Sequence, residues 1–204
     1  MRHVAIAIFD EVEVLDFCGP FEVFAVCGRR SGTTPFEVHT VAESVRPILA
    51  RHRLSVNPTF PFDSPDAPRA DIMLVPGGFG TRREMKNPAM LEWVRRANSE
   101  AELVLSVCTG SLILGAAGLL DGREATTHFA AYEELAAVAP RCRVRRDMRY
   151  VDTGRLITSA GVSAGIDMAL RVVTRLLGDD VAQETARYME YEGSFAEAAR
   201  SGAA

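Results

Sequence analysis

Residues 103–118 read LVLSVCTGSLILGAAG. The apolar run Leu103–Val107 has the length and β-branched content of a strand covered on both faces, and the small-residue segment Thr109–Ala117 reads as a helix closed by Gly118. Cys108 stands where one gives way to the other. Ser106 and Gly110, two positions to either side, are the small residues that a sharp strand-to-helix turn needs, because bulk there would collide with neighbouring backbone. The same steric logic places serine in G-x-S-x-G enzymes. A cysteine on such an elbow projects toward the strand ends, and a following helix N-terminus favours its thiolate. The alternative is a small buried cysteine that only packs.

Outward from the elbow, similar units recur. Val4–Phe9 (VAIAIF) and Asp71–Val75 (DIMLV) are short apolar runs, Phe36–Ala42 alternates, and Arg155–Ser159 (RLITS) is a further strand. Between them, apolar residues at helical spacing predict helices from about Phe17 to Cys27 with Pro20 in the first turn, from Asn87-Pro88 through Val94, from Ser163 to Leu177, and from Asp179 to about Tyr191. Residues 45–57 suggest a small hairpin and the Pro-rich stretch 58–68 a surface loop. Strands alternating with helices predict an α/β fold, a mostly parallel sheet with helices on both faces. Ligands in such sheets bind beyond the C-terminal strand ends. Asp16, Gly77-Gly78 and Cys108 all fall there.

Each neighbour of the elbow has two readings. Gly77 and Gly78, after Pro76, could bring backbone N–H groups to an oxyanion, or could simply make a tight turn. Asp16 lies among apolar residues (Val14-Leu15-Asp16-Phe17); it is either a buried acid that resists ionisation or the N-cap of the next helix. His128 is the imidazole available to pair with a cysteine, or a satisfied strand-end histidine. Five arginines between Arg141 and Arg149 read as a solvated strand face, and Cys18, Cys27 and Cys142 as structural.

The composition bounds the rest. The chain has 204 residues, 48% hydrophobic and 25% charged, with a formal net charge of −4. That balance argues against nucleic acid as a partner. No apolar run reaches the roughly 18–20 residues that cross a bilayer, and the first residues do not form a secretory signal. The four cysteines form no C-x-x-C pair, which predicts reduced thiols in the cytoplasm. No internal repeat is present.

Four stretches together, VAIAIFDEVEVLDFCGPFEVF, DIMLVPGG, LVLSVCTGSLILGAAGLLDGREATTH and LITSAGVSAGIDMAL, resemble the ThiJ/PfpI superfamily, which is similar in fold to class I glutamine amidotransferases. The acid in the LDxxGP segment and the CTGS elbow most resemble its isocyanide (isonitrile) hydratase branch. The same features occur in the ligand domains of some AraC-type regulators, but this sequence has no room for a helix-turn-helix pair after its last helix. The resemblance implies a single flavodoxin-like sandwich over residues 1–194, a short flexible tail over 195–204, and a homodimer acting on a small molecule without metal or organic cofactor. It also implies that Cys108 is the nucleophile, Asp16 the acid facing its sulfur, Thr109 a substrate-side group, Gly77, Gly78 and Gly110 the oxyanion cradle, and His128 a secondary residue. The reaction implied is addition of water to an isocyanide, giving an N-substituted formamide through a Cys108 thioimidate. The alternatives are hydrolase or glyoxalase-type chemistry by a Cys108–His128 pair, and a redox or small-molecule sensor.

Overall fold

The computed structural model describes residues 1–193; the tail expected over 195–204 lies outside them. In chain order the elements are β1 (Arg2–Ala7), α1 (Val14–Val26), β2 (Phe36–Ala42), β3 (Ile48–Leu49), β4 (Ser55–Val56), β5 (Phe60–Pro61), β6 (Ile72–Val75), α2 (Thr81–Glu84), α3 (Pro88–Glu100), β7 (Leu103–Val107) and α4 (Gly110–Ala116). They continue with β8 (Glu124–Ala125), α5 (Tyr132–Val138), β9 (Arg143–Val144), β10 (Tyr150–Asp152), β11 (Leu156–Ser159), α6 (Ala164–Leu177) and α7 (Asp179–Tyr188).

Seven strands make the main sheet, in the order β10-β11-β7-β6-β1-β2-β5. Every pairing is parallel except β10 with β11. All residues of β6, β7 and β11 are buried; their apolar sequences are continuous because helices cover both faces. Helices α1, α6 and α7 pack together as one layer, and α2, α3 and α5 join α4 in the other. Val75 pairs with Ser106 and Ser159 with Val107, so β6, β7 and β11 end at one level. The chain segments leaving those ends form the candidate site.

Local chemistry explains the boundaries. The Asn87 side chain accepts the N–H of Ala89, and Pro88 occupies the first position of α3. Helix α1 begins at Val14, three residues earlier than its apolar spacing predicts, which puts Pro20 inside the helix rather than in its first turn. Pro20 has no N–H, so the Asp16 carbonyl lacks its usual i+4 donor. The Pro-rich stretch is not wholly loop, because Phe60–Pro61 adds an edge strand beside β2. An edge tolerates the missing N–H of proline. The last helix stops at Tyr188, before a left-handed Glu190.

The elbow depends on a close approach that only glycine permits. A Cβ on Gly110 would land on the Val75 carbonyl oxygen of the adjacent strand. Gly110→Ala is therefore expected to lower the urea midpoint by an amount equivalent to about 1–3 kcal/mol, the cost of overpacking a rigid contact. An unchanged midpoint would show that β6 and α4 can separate without loss.

Candidate active site

Cys108 sits in the left-handed region with φ 57°. That conformation costs a non-glycine residue about 1–3 kcal/mol and persists only where surrounding bonds over-determine it. Here they do. The Cys108 N–H donates to the carbonyls of Ser159 (3.1 Å) and Ala160 (3.2 Å), and its own carbonyl accepts from the hydroxyls of Thr127 (2.9 Å) and Ser111 (3.2 Å). Four groups from three chain segments thus hold the residue in place.

Asp16 lies in the first turn of α1 and is fully buried. It is not the N-cap: its carboxyl reaches across the strand ends instead. Oδ2 accepts the Gly77 N–H at 3.0 Å and Oδ1 accepts the Val162 N–H at 3.1 Å, and the carboxyl stands near enough to the Cys108 thiol for each group to shift the other's pKa. Burial pushes the Asp16 pKa up to about 7, against the stabilising influence of Cys108, Gly77 and Val162. A carboxyl poised there can both take and give a proton near neutrality.

The thiol is displaced in the same direction. Burial and then the Asp16 charge push Cys108 up to about 12, and the N–H and hydroxyl of Thr109 offset only part of this. The expectation of a thiolate favoured by the helix N-terminus is corrected here. Helix α4 is short, and its end acts on the sulfur mainly through the Thr109 N–H, which burial and the carboxylate outweigh. The resting pair is a protonated thiol against a carboxyl, so nucleophilic attack needs a base, and Asp16 is placed to be that base.

The glycines also differ from their expected use. The Gly77 N–H is taken by Asp16, and the Gly78 N–H donates to Thr109 Oγ1 at 3.0 Å. Neither amide is free to hold an oxyanion. Their contribution is the absence of a side chain: a Cβ on Gly77 would stand 2.6 Å from the Thr109 nitrogen and 2.8 Å from Asp16 Oδ2. Gly110 likewise serves the elbow.

His128 is near but otherwise engaged. Its Nδ1 accepts the Ala130 N–H at 3.2 Å, capping a short 3-10 turn, while its ring packs on Gly161 and Phe129. Among the described residues no hydrogen bond joins it to Cys108. His128→Ala is expected to change kcat/KM less than about tenfold, whereas loss of a proton-transfer residue typically costs a hundredfold or more. A larger loss would restore the Cys–His reading.

Several site residues carry no sequence signal. Thr127 and Val162 touch Cys108 and Asp16 through contacts distant in the chain, and Val162 itself has φ 55°. Arg149, expected on a solvated face, instead pairs with the buried Asp167, which also accepts from the Tyr191 hydroxyl (3.0 Å). Arg149 also donates to Ser163 Oγ at 3.1 Å, tying down the loop that carries Val162. The other arginines of that stretch do pair with surface acids, Arg146 with Glu133 for example. No group of three or more His, Cys, Asp or Glu among the described residues is placed to hold a metal ion. None of the described helices is long and apolar enough to cross a membrane.

The model of the DJ-1/PfpI family matches residues 2–175. The chain belongs to the DJ-1/PfpI family. This DJ-1/PfpI chain is 38% identical over 192 residues to the isonitrile hydratase of Pseudomonas putida, covering 93% of this chain and 78% of that one. It is 31% identical over 170 residues to the HTH-type transcriptional regulator CdhR of Pseudomonas aeruginosa, covering 78% of this chain but only 49% of the regulator. Among solved structures, a ThiJ/PfpI family protein from Pseudomonas syringae superposes with a TM-score of 0.83 at 30% identity, covering 94% of this chain and 76% of the other.

Proposed function

We propose that this chain is an isocyanide hydratase, a hydro-lyase that adds water to R–N≡C and releases the N-substituted formamide. The observation that carries the reading is the Asp16 carboxyl held against the Cys108 thiol by two backbone N–H groups. Likeness to the Pseudomonas putida isonitrile hydratase supports the substrate class.

In this mechanism the carboxylate takes the thiol proton as sulfur attacks the terminal carbon of the isocyanide, a linear electrophile with little bulk. Asp16 then delivers that proton to the same carbon, giving the thioimidate R–N=CH–S–Cys108. Water, deprotonated by Asp16, adds to the thioimidate carbon while the nitrogen gains a proton. Collapse of the adduct expels the Cys108 sulfur, which recovers its proton, and the product is R–NH–CHO. Cys108 acts as nucleophile, Asp16 as base and then acid, and the Thr109 N–H and hydroxyl offset charge on sulfur as it attacks and as it leaves.

The protein works as a cytoplasmic homodimer in this reading. All four cysteines are unpaired, which supports a reducing compartment. The exposed apolar side chains of Leu15, Phe79 and Val162 flank the site residues and support a second copy closing over the site. The test is formamide formation from a simple cycloalkyl isocyanide. Saturable turnover supports the assignment. Its absence, in a protein whose Cys108 still reacts with alkylating agents, overturns it. One observation favours a second reading, a small-molecule-sensing domain: the likeness to half of a transcriptional regulator. Stoichiometric binding without turnover distinguishes the two.

A further inference from the structure

We infer that the cleft over His39 is a second binding site, one that takes a small, flat, uncharged heterocycle able to donate and accept a hydrogen bond. Strand β2 alternates, so Glu37, His39 and Val41 share the face opposite Phe36, and His39 pairs with Ala5 of β1. Helix α3 faces them with Trp93, Arg96, Ala97 and Glu100, one i, i+3, i+4, i+7 stripe. The chain between Pro61 and Ala70 closes the remaining side, and the cleft holds about 120 Å³. None of Asp16, Cys108 and Thr109 lines it. His39 is 5% exposed, and neither Nδ1 nor Nε2 has a hydrogen-bond partner among the described residues. Its ring packs edge-on against Phe60 at 5.5 Å, an apolar contact that satisfies neither nitrogen. Roughly nine in ten buried polar groups are hydrogen-bonded, because an unmet one costs its full desolvation. A molecule seated in the cleft meets that need.

The lining sets the class of ligand. Its charged residues, Arg69, Arg96 and Glu100, are exposed. Arg69 pairs with Glu100 at 3.7 Å, and Arg96 donates to the Phe62 carbonyl. The buried wall is apolar, with Trp93 stacked on Phe62 at 5.2 Å between ring centroids. A charged ligand reaching His39 would lose its hydration without meeting a buried counter-charge. Burial, and then His3, lower the His39 pKa, so the ring is uncharged at neutral pH. A neutral imidazole presents an N–H or a bare nitrogen according to tautomer, and a ligand with both a donor and an acceptor pairs with either. A cavity of about 150 Å³ admits benzene, so this one suits a five-membered ring.

The test is a titration with pyrazole, followed by the fluorescence of Trp93, the single tryptophan of the chain and part of the cleft wall. Isocyanide turnover plays no part in this readout, so its failure and the failure of the hydratase reading are distinguishable. A saturable change is expected with a Kd on the order of 1 mM, within the efficiency ceiling for so small a ligand. Thiophene, a ring of the same shape without a hydrogen-bonding pair, is expected to bind about tenfold more weakly, the worth of one hydrogen bond to His39. His39→Leu, which keeps apolar bulk and removes both ring nitrogens, is expected to abolish that discrimination by weakening pyrazole alone. The absence of a saturable change with pyrazole overturns the inference, because water alone then satisfies His39. Equal affinity for the two rings in the wild type also overturns it, and this comparison decides the matter if the variant does not fold. Discrimination that survives in a folded His39→Leu overturns it as well.

Discussion

Cys108→Ala is expected to keep its fold and lose isocyanide turnover down to the uncatalysed background. The substitution retains the Cβ, so the left-handed backbone at φ 57° and the four hydrogen bonds that hold it are unaltered. The structural loss is one sulfur atom from a buried site, costing about 1 kcal/mol as a small cavity. Chemically the loss is complete, because no other nucleophile among the described residues faces Asp16. Cys108→Ser separates nucleophilicity from shape. A hydroxyl fills nearly the same volume, but it ionises with far more difficulty than a thiol already pushed up to about 12, so the variant should also be inactive. Formamide release measured beside the thermal midpoint checks both claims. Wild-type turnover in either variant removes the covalent mechanism.

Much of this site is legible in the amino-acid sequence, and the parts that are not share a cause. The strands β1, β6, β7 and β11 are legible because sandwiching between helices forces continuous apolar runs, and a mostly parallel α/β sheet then places their ends together. The elbow is legible because its steric demand is local: Ser106 and Gly110 lie within two residues of Cys108. Asp16 stands out as an acid among apolar residues, but its partners do not. The N–H groups that hold it come from Gly77 and Val162, 61 and 146 residues away. For the same reason the glycine amides read as free donors in the sequence, since nothing in PGG reveals that Asp16 and Thr109 occupy them. The Arg149–Asp167 pair is invisible on the same ground. The Pro-rich and Arg-rich stretches mislead differently. Each contains or adjoins a strand of two or three residues, β5 or β10, too short to show a period.

Asp16→Asn is expected to lower kcat/KM by about a hundredfold or more, and its pH dependence is the sharper signature. The amide keeps an oxygen for one backbone N–H, but its NH2 cannot accept the other, and it cannot take a proton from the thiol. In the wild type the rate should rise as pH passes about 7, where Asp16 ionises and becomes the base. In the variant that inflection should vanish. Stability should show the same group with the opposite trend. The folded pKa of Asp16 lies above its ordinary 3.8 because burial disfavours the charge. Folding therefore favours the protonated carboxyl. That contribution is fully present below the unfolded value and is lost as pH rises through about 7. Asparagine carries no charge at any pH, so the stability of the variant relative to wild type should improve between about pH 4 and 7 while its activity stays low. Denaturant midpoints across that window, set beside the rate profile, test both at once. An inflection that survives in the variant assigns the titration to another group and leaves Asp16 a structural acid. A stability difference that stays flat across the window means the buried carboxyl is already relieved of its charge penalty, and the poised acid–thiol pair is not the engine of the reaction.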